Sequence, residues 1–226
     1  QRLELNENKI RNISKSLNDV ANLPDPIGKI INFNKRPNGL TLKKISVPIG
    51  VIGIIYESRP NVTADAASLC LKSGNACILR CGSESFNSSQ VILENLYFGL
   101  KKSNITTDSI QLLPTRSREA VSELLKLTNL VDIIIPRGGK SLIEKINNET
   151  KIPVISHLDG NCHTYIHKDA DNKKSLDLIM NAKFRNTSIC GATESLLIDN
   201  SIISSHLPKI VESLMSNGCK IYGDSE

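Results

Sequence analysis

The apolar positions of this chain change period several times. Over residues 3–22, Leu3, Ile10, Ile13 and Leu17 fall on one helical face among charged and amide side chains, which predicts an amphipathic helix. The stretch LPDP ends it. Two short runs flanking RPNG then read as a hairpin, and VPIGVIGIIY reads as a buried strand ending near Tyr56. Beyond it the period alternates. NVTADAASLCLKSG predicts a helix stopped by Gly74, followed by a strand at NACILR, a helix over 86–103, a strand at IQLLP, a helix over 117–127, a strand at VDIII, a helix at KSLIEKINNE and a strand at IPVIS. Short strands separated by helices of this length imply crossovers and a parallel sheet, so a doubly wound α/β domain is expected over 45–155. Residues 1–44 supply a helix and a hairpin before it. From 156 the texture changes, with a strand at HTYIH, a helix at KKSLDLIMNAKF, a strand at ESLLID, a helix over 201–217 and a further strand at CKIYG. Ending just after a strand, the chain reads as a part of an α/β unit whose next crossover lies elsewhere. The lack of an initiator methionine reads the same way.

Composition narrows the class. The 226 residues are 39% apolar and 23% charged, ordinary for a soluble globular protein. The longest apolar run falls well short of the ~20 residues of a membrane helix. The amino terminus has no signal-peptide core. A cytoplasmic, soluble protein is therefore expected. Net charge is +5, spread along the chain, and aromatic residues are 4%. That argues against a nucleic-acid surface, which needs a concentrated basic stripe and stacking rings. The surplus charge suits a phosphorylated small molecule better. The cysteines at 70, 77, 81, 162, 190 and 219 form no CxxC pair, and their spacing suits no zinc ribbon. Free thiols are expected. In CHTYIH, strand alternation sends Cys162 and His163 to opposite faces, so no metal site is expected there.

Ligands of doubly wound sheets bind at the carboxyl ends of the strands, and three segments there carry chemistry. In ILRCGSES, Arg80 offers a planar fork for phosphate or ribose, and Ser83 or Ser85 can cap the next helix beside Glu84. The alternative is a surface pair between Arg80 and Glu84. In IIIPRGGKSLI the strand stops at a proline, after which Arg137, Gly138, Gly139 and Lys140 bring charge and close backbone approach to a helix start. Two cationic turns of this kind suggest a nucleotide with an extra phosphate, such as NADP. In YESRPNVTADA, Asn61 is either a helix cap or an amide donor to a reacting carbonyl. Cys190, in RNTSICGATESLLI, lies between a polar turn and an apolar run. Packing and nucleophilic attack both remain open for it on these grounds.

The segments VPIGVIGIIYESRPNVTADAASLCLKSGNACILRCGSES, IIPRGGKSLI, HLDGNCHTYIHKDAD and NAKFRNTSICGATESLLI resemble the gamma-glutamyl phosphate reductases, also called glutamate-5-semialdehyde dehydrogenases, of the aldehyde dehydrogenase superfamily. The resemblance runs over nearly the whole chain. It implies a Rossmann-like NADP-binding domain over 45–155, a partial catalytic domain over 156–226 and a small oligomerisation extension. It puts the nucleophile at Cys190 and the oxyanion amide at Asn61. Cofactor contacts fall on Arg80, Ser83 and Glu84 and on Arg137, Gly138, Gly139 and Lys140. The implied chemistry is attack of the Cys190 thiolate on glutamyl 5-phosphate and reduction of the resulting thioester with NADPH, in proline biosynthesis. His157 stands where hydrolytic relatives of the superfamily carry a glutamate base, which favours reduction over hydrolysis. Three departures accompany the likeness. Cys81 replaces a glycine, Gly191 replaces an asparagine, and NTSI stands in place of an arginine–proline pair. Family members also extend further at both ends, so the implied partners are a homo-oligomer or a complementing carboxyl-terminal fragment. Two other readings stand beside the reductase. One is an inactive remnant or nucleotide-binding fragment of it. The other is a different cysteine-dependent aldehyde dehydrogenase.

Overall fold

The computed structural model describes residues 3–157, 160–187 and 189–223. The helix expected over 3–22 begins later, as α1, Glu7–Ala21, and the Asn6 side chain accepts from the Lys9 amide as its cap. The chain forms two compact units, Gln1–Leu158 and Asp159–Glu226.

In the first unit, the hairpin is β1 (Ile30–Lys35) paired antiparallel with β2 (Thr41–Ile45), turning at RPNG as expected. Strands β3 (Val51–Tyr56), β4 (Ala76–Arg80), β5 (Ile110–Leu112) and β6 (Ile133–Arg137) form a parallel sheet in the order β5-β4-β3-β6. Between them run α2 (Asn61–Lys72), α3 (Phe86–Lys102) and α4 (Glu119–Leu124), and α5 (Lys140–Glu149) follows β6. The doubly wound arrangement follows from strand alternation. Ile52, Ile54 and Tyr56 of β3 join Cys77 and Leu79 of β4 in one core, with Ala67 and Cys70 of α2 and Phe86, Leu93 and Leu100 of α3. Ile55, on the opposite face of β3, joins Ile134 and residues of α4 and α5, among them Val121, Leu124 and Ile146. Helix α1 docks on α2 through Ser16 Oγ donating to Asp65 Oδ1 at 3.0 Å and Lys72 Nζ donating to the Ala21 carbonyl at 2.9 Å.

Several expected elements differ. The predicted helix over 117–127 is trimmed to α4. Strand β6 does not stop at Pro136 but runs through it to Arg137, pairing Ile55 with Pro136 and Tyr56 with Arg137. Proline is tolerated because β6 lies at the sheet edge, where a missing donor breaks no ladder bond. The strand expected at IPVIS is reduced to one bridge, Ile134 with Val154.

The second unit holds β7 (Cys162–Ile166) and β8 (Thr193–Ile198), paired parallel, with α6 (Asn172–Phe184) and α7 (Ile203–Ser216). Its core gathers Ile166, Ile179, Ile210 and Leu214. The strand expected at CKIYG does not form. Gly218 turns the chain at φ +79, the Cys219 amide donates back to the Leu214 carbonyl, and Cys219 packs on the helical core instead of pairing.

Candidate active site

Strand β4 is flanked by β3 and β5, so its last residue, Arg80, arrives in a crowded place. Its side chain is 8% exposed. One terminal nitrogen reaches the Arg116 and Ser117 carbonyls at 3.4 and 3.5 Å, and Nε has no hydrogen-bond partner among the described residues. The surface pair with Glu84 is therefore not the state of Arg80. The capping role expected of Ser83 or Ser85 is not realised either. Ser83–Ser85 is a 3-10 turn, Ser85 Oγ donates to the Gly82 carbonyl at 3.2 Å, and Ser83 Oγ reaches the Arg116 carbonyl at 3.5 Å. Cys81 causes no backbone strain: it is buried in the same core as α3, and its φ is not positive. Gly82 is the position with no room, since a Cβ there would stand 3.1 Å from the Ser58 amide and 3.0 Å from Glu84 Oε2.

At the end of β6, Arg137 and Lys140 are exposed, and Gly139 is the N-cap residue of α5. Sequence reasoning overlooked Glu57, the residue after β3. Its Oε2 accepts from the Gly139 amide at 3.1 Å, and its own amide donates to the Arg137 carbonyl at 3.2 Å. A Cβ on Gly138 would come within 2.7 Å of that carboxylate oxygen, whereas one on Gly139 would meet nothing. The α5 start thus already holds a negative charge, the Glu57 carboxylate on the Gly139 amide. Ser58, next along, has a strained φ of +44. Arg116 was also overlooked; it donates to Asn87 Oδ1 at 2.7 Å and lies over the Phe86 ring. The partnerless Arg80 Nε, the tight backbone at Gly82 and the exposed Arg137 and Lys140 fit a phosphorylated nucleotide.

Asn61 is the first residue of α2 and does not cap it. The N-cap position is Pro60, and no side chain bonds there. Instead Asn61 Nδ2 donates to Asp65 Oδ2, one turn on, at 2.9 Å. Asp65 in turn is held by Ser16, so the amide has a fixed orientation and one hydrogen to spare.

Cys190 belongs to the second unit. It is exposed, on a turn just ahead of β8, which disposes of the packing reading. Ala192 N donates to the Ile189 carbonyl at 3.1 Å and tightens that turn. Cys162, at the start of β7, donates from Sγ to the Cys190 carbonyl at 3.1 Å. Alongside, Thr164 and Thr193 hydroxyls meet at 2.9 Å, and Ser195 Oγ donates to Asn161 Oδ1 at 2.9 Å. His157 is exposed; Leu158 and Asp159, which follow it, and Ser188 of the Cys190 turn lie outside the described residues. Among the described residues, no three His, Cys, Asp or Glu side chains are grouped to hold a metal. Likewise no helix among them is long and apolar enough to cross a membrane.

Comparison with known proteins adds to this geometry. The profile described as the aldehyde dehydrogenase family matches residues 4–219. The chain is 52% identical to a gamma-glutamyl phosphate reductase of Rhodospirillum rubrum, covering 100% of this chain and 53% of that protein. The chain thus spans about half the length of the curated relatives it matches. The crystal structure of gamma-glutamyl phosphate reductase from Thermotoga maritima superposes with a TM-score of 0.86 at 40% identity, over 96% of this chain and 52% of that one. The Saccharomyces cerevisiae enzyme of the same name gives a TM-score of 0.59 at 34% identity, over 95% of this chain and 52% of that one.

Proposed function

Since the chain belongs to the aldehyde dehydrogenase family, we propose that it serves the NADPH-dependent reduction of L-glutamyl 5-phosphate to L-glutamate 5-semialdehyde, a cytoplasmic step of proline biosynthesis. The observation that carries this reading is an exposed thiol, Cys190, on the turn before β8 of a chain 52% identical to a gamma-glutamyl phosphate reductase.

The Cys190 thiolate attacks the acyl carbon of glutamyl 5-phosphate, phosphate leaves, and the glutamyl group rests on sulfur as a thioester. Splitting the reduction into acylation and hydride transfer replaces one hard step by two easier ones. The nicotinamide cofactor, when bound, supplies the hydride. The thiolate then departs from carbon and the semialdehyde is released. Asn61, oriented by Asp65, donates its free amide hydrogen to the developing oxyanion. Arg80, Ser83 and Glu84, with Arg137, Gly138, Gly139 and Lys140, would hold NADP, the cationic side chains supplying charge to its phosphates. The hairpin β1–β2 is the oligomerisation extension, in keeping with its exposed Ile31, Phe33 and Leu42.

The test is NADP reduction by the purified chain, supplied with glutamate 5-semialdehyde and phosphate, with Cys190→Ala as control. Phosphate-dependent reduction lost in the variant supports the proposal. Reduction that needs no phosphate points instead to another cysteine-dependent aldehyde dehydrogenase. An NADP-induced thermal shift without turnover leaves only nucleotide binding to these 226 residues.

A further inference from the structure

The mechanism uses one thiol, but a second stands against the backbone of the same residue. Cys162 Sγ touches the carbonyl oxygen of Cys190 at 3.1 Å. A sulfur seated on another cysteine's backbone is in the neighbourhood a disulfide needs, the bond itself joining residues whose Cα atoms lie within roughly 7 Å. Cys190 sits on a turn, and the β7–β8 register shifts between Cys162 and His163. Cys190 is exposed and Cys162 partly so. The other thiols are not placed to compete, since Cys70, Cys77 and Cys81 are buried in the core of the first unit, and Cys219 packs on the α6–α7 core.

We infer that Cys162 is a resolving cysteine, which captures Cys190 as a reversible disulfide when a hydroperoxide oxidises it. The first step forms a sulfur–oxygen bond at Cys190 and breaks the peroxide O–O bond. The Cys190 thiolate loses two electrons to become a sulfenic acid, and the peroxide is reduced to water or an alcohol. In the second step the Cys162 sulfur attacks that of Cys190. The S–S bond forms, the S–O bond breaks, and the hydroxyl leaves as water with the proton of the Cys162 thiol. A dithiol reductant restores both thiols. Without Cys162, the sulfenic acid persists and proceeds to the sulfinic acid, which dithiols do not reverse. The inference rests on the reading of Cys190 as a reactive thiol.

The experiment treats the whole purified chain with graded hydrogen peroxide, with and without dimedone, and maps its peptides by mass spectrometry under non-reducing conditions. In the wild type a Cys162–Cys190 linked peptide is expected, lost on treatment with dithiothreitol. In Cys162→Ser, which keeps a hydrogen-bond donor, the link is absent, and dimedone labelling and sulfinic acid at Cys190 rise several-fold. Equal dimedone labelling of Cys190 in both proteins, with no linked peptide, overturns the resolving role and leaves the nucleophile reading standing. No oxidation of Cys190 in either protein overturns both. A link from Cys190 to any cysteine other than Cys162 also overturns the proposal.

Discussion

Cys190 and Tyr56 sit in opposite surroundings, one open to water and the other sealed from it. Cys190 is presented by a turn. Its replacement by alanine is expected to lower semialdehyde-dependent turnover by at least ~1,000-fold, as for loss of a covalent nucleophile, while the NADP-induced thermal shift is retained. Tyr56 is wholly buried and its hydroxyl meets Thr63 Oγ1 at 2.7 Å. Burial, the largest cause, pushes its hydroxyl from 10.0 up to about 12. A group whose folded pKa is raised favours the native state fully below its unfolded pKa, and that stability is lost as pH rises through the folded value. Denaturation midpoints are therefore expected to fall between pH 10 and 12, by up to roughly 2–3 kcal/mol of stability, and the fall flattens in Tyr56→Phe. At this scale the sequence was partly readable. A cysteine between a polar turn and an apolar run singled out position 190, and its exposure was decided only by the fold. The burial of Arg80 did not announce itself, because it depends on β4 lying between two other strands, and strand order is not a local property. Glu57 escaped for a similar reason: its partner, Gly139, is far along the chain and meets it only when β3 and β6 pair.

Elements are joined by side chains that tie strand starts. Asn75 Oδ1 accepts from the Ile49 and Gly50 amides at 2.6 and 2.9 Å, and Asp132 Oδ2 accepts from the Val51 amide at 2.8 Å, so the entry to β3 is pinned from both neighbouring strands. Asn75 is only 5% exposed. Asn75→Ala strands two backbone donors and is expected to cost about 2–3 kcal/mol in urea denaturation. Gly74, just before it, stops α2 at φ +68, with Pro48 blocking any Cβ. That stop was legible, as were α5 to the residue and the hairpin turn at RPNG, because each depends on local pattern and glycine chemistry. The elements misread were those decided by partners. Strand β6 passes through Pro136 because its edge position needs no donor, and the segment at Cys219 stays irregular because its helix-end bond and helical core hold it.

At the scale of the molecule, the α/β class and the parallel sheet followed from alternation alone; the change of texture from 156 was a local signal too, and the compact units divide between Leu158 and Asp159. The hairpin β1–β2 exposes Ile30, Ile31, Phe33, Leu42 and Ile45 together, more apolar surface than a lone ribbon usually leaves in water. If it is the oligomerisation surface, Phe33→Lys is expected to shift the chain to a lower sedimentation coefficient, with helix content unchanged in circular dichroism. The central strand carries a different consequence. Because β3 sends alternate side chains into two separate cores, neither face can melt while the other holds it in place. In deuterium-exchange measurements its amides should be the last to take up label, all at one rate set by complete opening of that unit.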